Sequence, residues 1–256
     1  MVTYLSAVKI MKINAFIVDA FTDEIFKGNQ AGVCILDEPI TASVMLQIAR
    51  EFGFSETAFV LQKVTDNFSI RYFSPVMEIP LCGHATMASA KVLFSEFDKL
   101  DEIIFETHFG VKLKIVKQEE RIVMFFPVHN TEPCELNAQM KEAIGLSEIL
   151  TCEYNSNHNI LMVEIKSSDE LSKLNPDYDL LKSIDTSING ILVTSKSQKP
   201  GYDFEYRYFF PWSGANEDPV TGGVQSFLCK YWSLKLEKKI MRAFQCSIRA
   251  RFIKLK

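Results

Sequence analysis

Three short segments of the chain combine acid/base side chains with glycines at expected helix starts. Glu56 lies between an amphipathic helix pattern and an apolar strand pattern, and His84 directly follows Gly83 at the beginning of an alanine-rich run. Asp218 precedes a glycine pair by a few residues. Such element boundaries are positions at which a rigid scaffold can aim a side chain. A carboxylate and an imidazole that share a cleft are suited to removing and returning a proton.

Each of these residues also has an ordinary structural explanation when it is taken alone. Glu56 has the position of a loop carboxylate or a first-turn hydrogen-bond partner, and His84 that of a helix-terminal or buried core histidine. Asp218 stands before Pro219 as an N-cap or turn residue does, and Cys82 could be one more buried thiol. The combination gains weight because two of the segments lie at equivalent places in an internal repeat.

The chain nearly repeats itself with an offset of 136 residues. The aromatic strand pattern of residues 68–75 returns at residues 204–211, with Arg71 and Arg207 in equivalent positions. A short loop and a helix-like run that starts with glycine follow each copy. This duplication predicts two like-folded halves with a cleft between them. Two helix N-termini that face one cleft would provide a site for a small anion, because free N–H groups and the helix dipole point there.

Hydrophobic periodicity predicts an α+β chain with two similar halves. A helix is predicted between an N-cap at Thr41 and a C-cap at Gly53. Strands are predicted at residues 12–18, 31–36, 57–62, 68–73, 103–107, 111–116, 121–126, 160–165, 191–194 and 204–209, and further helices at 83–94, 169–174, 178–184 and 222–232. The run 83–94 is apolar on nearly every side, which indicates a buried helix. A polar stretch with two prolines predicts a domain boundary that separates residues 1–127 from residues 128–256.

Composition excludes several classes of function. The 256 residues carry a net charge of −4 with a pI near 5.7, which argues against binding to nucleic acid. No apolar run approaches the length of a membrane-spanning helix, and residues 1–10 show no signal-peptide pattern. The six cysteines form no C-x-x-C pair and match no zinc spacing. We therefore expect a cytoplasmic protein with reduced thiols, no bound metal and no membrane partner. Residues 1–10 are expected to be either an added leader or the result of an early start codon, and to have little structural weight.

Five motifs in sequence resemble the phenazine-biosynthesis PhzF-like isomerase family. The motifs are Val18-Asp19-Ala20-Phe21-Thr22, Gly28-Asn29-Gln30-Ala31, Ser55-Glu56-Thr57-Ala58-Phe59, Cys82-Gly83-His84-Ala85-Thr86 and Glu217-Asp218-Pro219-Val220-Thr221-Gly222. Their order and spacing match that family over about residues 12–247. The resemblance implies a diaminopimelate-epimerase-like fold, in which two pseudo-symmetric domains each wrap a mostly antiparallel sheet around a central helix.

The resemblance also implies roles for individual residues. Glu56 is expected to be the acid/base that carries the proton, and His84 and Asp218 are expected to position or protonate the substrate. The residues expected to bind the substrate are Cys82, Gly83, Thr221, Gly222 and Gly223. Family members act on a small carboxylate-bearing molecule, use no metal or organic cofactor, and usually form homodimers. These properties are expectations for this chain.

Three departures from the family pattern affect these expectations. Gly223 stands where many members have serine, so one hydroxyl contact to the substrate is expected to be missing. Gln30 replaces the proline of the common Gly-Asn-Pro motif. After Ser247 the chain lacks the usual glycine-rich turn, so the second sheet is expected to lack a pair of strands and to leave an edge that must be covered.

The leading hypothesis is a cofactor-independent isomerase that moves a proton on a small carboxylate. One alternative is a non-catalytic small-molecule-binding or interaction protein on the same scaffold, because a fold does not fix a function. The other is an epimerase that depends on Cys82 alone. The segment around Asp218 carries no cysteine, which argues against a racemase that uses two thiols.

Overall fold

The computed structural model describes residues 11–22, 28–97, 100–119, 121–184, 187–213, 216–218, 220–247 and 251–255. The chain divides into two compact units. The first contains the described residues up to Val18 together with Gln30–Met124. The second contains the described residues from Asp19 to Asn29 and from Phe125 onward.

The first sheet packs against two helices of the first unit, one on each face. Its elements are β1 (Asn14–Ala20), β2 (Asn29–Leu36), α1 (Ala42–Phe52), β3 (Glu56–Val64), β4 (Asn67–Phe73), β5 (Glu78–Ile79), α2 (Gly83–Glu96), β6 (Glu102–Thr107), β7 (Lys112–Gln118) and β8 (Arg121–Phe125). The strand order is β1-β2-β3-β4-β6-β7-β8, and β5 pairs with β4.

The second sheet has a similar organisation. Its unit contains β9 (Glu132–Pro133), α3 (Ala138–Ile144), β10 (Thr151–Asn155), β11 (Ile160–Glu164), α4 (Ser168–Lys173), α5 (Tyr178–Ile184), β12 (Gly190–Lys196), β13 (Phe204–Phe209), a 3₁₀ turn (Pro211–Ser213), α6 (Gln225–Leu236), β14 (Met241–Gln245) and β15 (Arg251–Leu255). The strand order is β15-β14-β13-β12-β11-β10-β9.

Helix α2 is the central helix of the first unit and is buried on nearly every side. Ten of its 14 residues are buried, as the apolar run in the sequence predicts. Small side chains such as Ala85 and Ala88 let the sheet approach closely, and Ala58 and Ile70 pack against the helix from it. Because side chains alternate along a strand, every second residue of β3 faces α2.

Helix α1 packs against the opposite face of the same sheet. Phe59, which neighbours Ala58 in β3, joins Met45 and Ala49 of α1 in a separate apolar cluster. The Thr41 hydroxyl accepts a hydrogen bond from the Val44 amide at 3.4 Å, and Gly53 ends the helix in the left-handed conformation with φ of 67°. Both predicted caps are confirmed.

Helix α6 is the corresponding central helix of the second unit. Trp232 is buried and stacks on Phe204 with ring centroids 5.5 Å apart, while its indole N–H donates to the Thr194 hydroxyl at 2.9 Å. The helix begins at Gln225 rather than at Gly222, so the predicted start is wrong by three residues. The preceding residues form a tight turn in which the Gln225 amide donates to the Gly222 carbonyl at 3.0 Å.

The two sheets share one sequence of strand orientations. In the first, β2–β3 is parallel, β3–β4 antiparallel, β4–β6 parallel and β6–β7 antiparallel. In the second, β11–β12, β12–β13, β13–β14 and β14–β15 follow the same order of parallel and antiparallel pairs. The duplicated strand, loop and helix predicted from the sequence are therefore present once in each sheet.

The C-terminal part of the second sheet differs from the prediction. Strand β15 (Arg251–Leu255) lies beyond Ser247 and pairs antiparallel with β14, with Met241 opposite Leu255. The expectation that the sheet lacks the strands after Ser247 is thus wrong for β15, which covers the edge of β14.

Candidate active site

Glu56 and His84 meet at the point where a strand and a helix of the first unit both begin. Glu56 is the first residue of β3 and lies two positions before Ala58. The two side chains are therefore on the same face of the strand, which is the face toward α2. His84 is the second residue of α2. The Glu56 Oε2 atom lies 3.1 Å from His84 Nε2, and the exposed fractions of the two side chains are 17% and 5%. The pair therefore combines a buried imidazole with a carboxylate that keeps some access to solvent.

Cys82 adds a thiol to this pair. It is the N-cap residue of α2, with an extended backbone, and its sulfur lies 3.4 Å from His84 Nδ1 and 3.8 Å from His84 Nε2. The Thr86 hydroxyl donates to the Cys82 carbonyl at 2.6 Å and holds the start of the helix. Gly83, the first residue of α2, is also buried and lies between Cys82 and His84 in the sequence. The structure thus brings together Glu56, Cys82 and His84, three of the residues singled out in the sequence.

The electrostatics of this cluster favour an ion pair beside a neutral thiol. Burial alone would raise the pKa of Glu56, but the hydrogen bond and charge of His84 and a hydrogen bond from Ser55 lower it. Burial disfavours the charged imidazole, yet the Cys82 sulfur and the Glu56 carboxylate raise the pKa of His84 well above 6.5. Burial raises the pKa of the Cys82 thiol. The directions of these shifts favour a carboxylate at Glu56 and a protonated imidazole at His84.

The ion pair between Glu56 and His84 is expected to stabilise the fold over a limited range of pH. The contribution of Glu56 is present above its unfolded pKa of about 4.5 and is lost as the pH falls through its lowered folded value. The contribution of His84 is fully present below about 6.5 and is lost as the pH rises through its raised folded value. Urea unfolding of the wild type and Glu56→Gln should therefore differ most between pH 4.5 and 6.5. A difference in the free energy of unfolding that does not change with pH would contradict the ion pair.

Asp218 lies in a hydrogen-bonded turn of the second unit. Its Oδ2 accepts from the Thr221 hydroxyl at 2.7 Å, and its Oδ1 accepts from the Val220 amide and from the Asn29 side chain, each at 3.3 Å. The Gln245 side chain donates to the Asp218 carbonyl and accepts from the Thr221 amide at 2.6 Å. The turn is thus fixed by residues from three separate parts of the chain.

The residue before Asp218 anchors the same turn. Arg207 forms a two-pronged ion pair with Glu217, with both N–O distances at 2.7 Å, and its guanidinium lies 4.8 Å from the centre of the Phe209 ring. Arg207 also donates to the Leu174 carbonyl at 2.6 Å. Arg71, its equivalent in the repeat, forms the same kind of pair with Glu78 in the first unit. The duplication therefore extends to the ion pairs that hold each loop.

The remaining predicted substrate-binding residues lie between this turn and α6. The Thr221 hydroxyl donates to Asp218, and its amide is bound by Gln245. Gly222 and Gly223 form the turn that leads into the helix. A Cβ atom at Gly223 would meet no heavy atom within 4 Å, so the position has room for the serine hydroxyl found in many members of the family.

Sequence reasoning did not assign a role to Asn29 or Gln245. Asn29 is buried and bridges Asp218 to the Val220 carbonyl, a contact made across 191 positions in the chain. Gln245 is also fully buried and ends β14. The Gly28-Asn29-Gln30 motif could have pointed to Asn29, whereas no local pattern marks Gln245 as a partner of Asp218.

Within the described residues no helix is long and apolar enough to span a membrane.

The fold defines the class of this protein as a duplicated α+β protein of the type seen in PhzF proteins and epimerases. A predicted epimerase from Pseudomonas aeruginosa superposes with a TM-score of 0.74 over 95% of this chain and 91% of the other, and at 18% identity it shares the fold alone. The diaminopimelate-epimerase-like fold predicted from the sequence is confirmed.

The chain belongs to the phenazine biosynthesis-like family, PhzC–PhzF, whose model matches residues 18–252. It is 42% identical to an uncharacterized isomerase of Halalkalibacterium halodurans, over 94% of this chain and 89% of the relative. The crystal structure of a PhzF-family phenazine biosynthesis protein from Enterococcus faecalis has a TM-score of 0.86 and 34% identity, and covers 95% of this chain and 91% of that one. The family predicted from the five motifs is confirmed.

Proposed function

We propose that the protein is a cofactor-independent isomerase that moves a proton on a small carboxylate-bearing molecule, with Glu56 as the acid/base. The observation that carries the proposal is the contact of 3.1 Å between Glu56 and the buried His84. The relative named as an isomerase supports the reaction class, because it aligns with 94% of this chain.

The pair can perform both halves of a proton transfer. The lowered pKa keeps Glu56 ionised when it is free, so it can accept a proton from a carbon next to an electron-withdrawing group. The electron pair of the broken C–H bond moves into the neighbouring π system, and Glu56 delivers a proton to a different carbon. Because the Glu56 side chain is 17% exposed, its proton can exchange with solvent before delivery. Substrate and product have the same atoms and the same oxidation level. Such a transfer therefore needs no redox carrier.

The start of α2 supplies electrostatic stabilisation for this transfer. The raised pKa of His84 makes it a cation beside the negative charge that develops on the substrate. The positive end of the α2 dipole acts in the same direction. This combination supports a carboxylate or other small anion as the substrate class.

Asp218 and the turn that follows it are proposed to orient the substrate. The support is the resemblance of residues 217–222 to the family motif and the dense hydrogen bonding that fixes the turn. We expect Asp218→Asn to raise KM more than it lowers kcat, because the amide keeps the size of the side chain but loses its charge. An unchanged KM would remove Asp218 from this role.

Two further properties belong to this proposal. A homodimer is proposed from the resemblance to the family, and light scattering on the purified protein tests it. A cytoplasmic location is proposed from the six free thiols, because reduced cysteines are usual in that compartment. Neither is needed for the chemistry at Glu56.

The experiment that tests the function is solvent-deuterium incorporation. The purified protein is incubated in D₂O with a panel of small unsaturated and amino carboxylates, and mass spectrometry detects exchange at carbon. Exchange that depends on Glu56 supports the isomerase. No exchange with any member of the panel, together with saturable binding of one of them, would favour the non-catalytic binding protein.

A second candidate function is an epimerase that depends on Cys82. The observation in its favour is the contact of 3.4 Å between the Cys82 sulfur and His84 Nδ1. The raised pKa of the thiol argues against it, because the thiolate is the reactive form. Alkylation of Cys82 that abolishes exchange, and that substrate prevents, would favour this candidate if Cys82→Ala is inactive as well.

Gly223→Ser tests whether the missing hydroxyl affects the choice of substrate. We expect the free energy of unfolding of the variant to lie within about 0.5 kcal/mol of the wild-type value, because the added Cβ meets no heavy atom within 4 Å. If this position contacts the substrate, the hydroxyl should change which carboxylates of the panel exchange. The same rates for the whole panel would show that Gly223 does not contact the substrate.

A further inference from the structure

We propose that Cys134 and Cys152 of the second unit are a modification site, at which hydrogen peroxide joins the two thiols in a reversible disulfide. Both cysteines are free thiols in this structure, and their sulfur atoms lie 2.8 Å apart. Cys134 follows β9 and Cys152 belongs to β10, so the bond would link the outermost strand of the second sheet to its neighbour. The site is independent of the chemistry proposed at Glu56.

The backbone places the two cysteines directly opposite each other. Strands β9 and β10 pair antiparallel, with Pro133 opposite Glu153. The next pair in this register is Cys134 and Cys152, and the Cys134 amide donates to the Cys152 carbonyl at 3.0 Å. Residues in such a hydrogen-bonded pair have Cα atoms about 5.5 Å apart, which is within the usual range of about 4.4–6.8 Å for disulfides. The disulfide can therefore form without a rearrangement of either strand.

The two thiols differ in their access to an oxidant. Cys152 is buried in the apolar cluster around α3, whereas Cys134 is half-buried and packs against this cluster from its edge. Burial, the hydrogen bond with Cys134 and the charges of Cys134 and Glu153 raise the pKa of Cys152, which keeps it protonated. Cys134 is therefore the thiol that peroxide meets first, and Cys152 is the thiol that completes the disulfide.

Oxidation proceeds in two displacements, each with a defined leaving group. The Cys134 thiolate attacks one oxygen of hydrogen peroxide, so that an S–O bond forms, the O–O bond breaks and hydroxide leaves. The Cys152 sulfur then attacks the Cys134 sulfur, the S–O bond breaks, and water leaves with the proton of Cys152. In total the two thiols lose two hydrogen atoms and one peroxide becomes two waters. A thiol reductant such as glutathione reverses the change by attacking the disulfide.

The disulfide would strengthen an edge that few hydrogen bonds hold. Strand β9 has two residues, pairs among the described strands with β10 alone, and contains Pro133, which has no N–H to donate. The bond would close the loop of residues 134–152, which contains α3. Closure of such a loop restricts the unfolded chain and thereby favours the folded state. The oxidised protein should accordingly be more stable than the reduced protein.

No local motif in the sequence marks this pair. The cysteines lie 18 positions apart and form no C-x-x-C motif, which is the spacing by which a redox pair is usually recognised. The pairing of β9 with β10 is what brings them together. Reduced thiols remain the expected resting state, because disulfides in the cytosol are usually transient.

Peptide mapping after peroxide treatment tests the site directly. The reduced protein is treated with hydrogen peroxide, unreacted thiols are blocked with iodoacetamide, and the proteolysed protein is analysed by mass spectrometry. We expect a peptide pair joined through Cys134 and Cys152. The titratable thiols should fall by two, from six to four, and dithiothreitol should restore all six.

Two variants make the result specific to this pair. Cys134→Ser changes the more exposed member and should lose the cross-link, with circular dichroism as the check on folding. Cys229→Ser removes a half-buried thiol of α6 and should leave the cross-link unchanged. Oxidation of Cys134 to a sulfinic acid without a cross-link in the wild type would overturn the proposal. So would six unreacted thiols, or a cross-link that joins other cysteines or two protein molecules.

The effect on stability is measured separately by urea unfolding. The unfolding equilibrium constant of the oxidised wild type should be about 100-fold lower than that of the reduced protein, the usual effect of a disulfide that closes a loop of this length. The same peroxide treatment should cause no such decrease in Cys134→Ser, which controls for oxidation at other residues. A cross-link that leaves the unfolding of the wild type unchanged would overturn the stabilising role of the disulfide.

Discussion

Glu56→Gln should fold normally and lose solvent-deuterium incorporation into the substrate by roughly 10²–10⁴-fold, which is the usual contribution of a general base. The amide keeps the size of the side chain and can still contact His84, but it cannot accept a proton. Exchange is followed by mass spectrometry in D₂O, with circular dichroism as the check on folding.

Matched variants make this result specific to position 56. Glu51→Gln makes the same chemical change at an exposed position of α1 and should leave exchange unchanged. Cys82→Ala removes the thiol beside His84 and should keep most of the activity. If Cys82→Ala is inactive while Glu56→Gln exchanges at the rate of the wild type, the proton is carried by the thiol.

The fold could be predicted in large part because its signals are local and are present twice. The strand pattern around Arg71 and Arg207 reports the duplication, and the caps at Thr41 and Gly53 are fixed by short-range hydrogen bonds and backbone conformation. The predicted start of α6 at Gly222 is too early, because glycine is also favourable in the tight turn that precedes the helix. Strand β15 was missed because its pairing with Met241 and its neighbours in β14 is set by tertiary contact.

The candidate site was predictable to the extent that it depends on element boundaries. Glu56 and His84 are each next to an element start, so the motifs that contain them could be recognised from the sequence. The support around Asp218 could not be predicted in the same way. Asn29 reaches it across 189 positions, and Gln245 across 27. Contacts at such separations are set by the tertiary structure, and no local pattern in the sequence specifies them.

The two ion pairs of the repeat have similar geometry but differ in burial. The side chains of Arg207 and Glu217 are 8% and 10% exposed, and Arg207 also donates to the Leu171 and Leu174 carbonyls. Arg71 and Glu78 are 21% and 19% exposed. Water can therefore solvate a charge left alone in the first pair much better than one left alone in the second.

Arg207→Met should accordingly cost about 3–5 kcal/mol of unfolding free energy, because it leaves the Glu217 carboxylate and two backbone carbonyls buried without their partner. Arg71→Met, the matched change in the other copy of the repeat, should cost about 1 kcal/mol. Urea unfolding compares the two variants.

If Arg207→Met is too unstable to purify, Glu217→Gln offers a milder test, because its amide retains one hydrogen bond to the guanidinium. Equal losses for the two arginine variants would show that burial does not determine the strength of these pairs. A larger loss for Arg71→Met would place the more important anchor in the first unit, beside the loop that leads to Cys82 and His84.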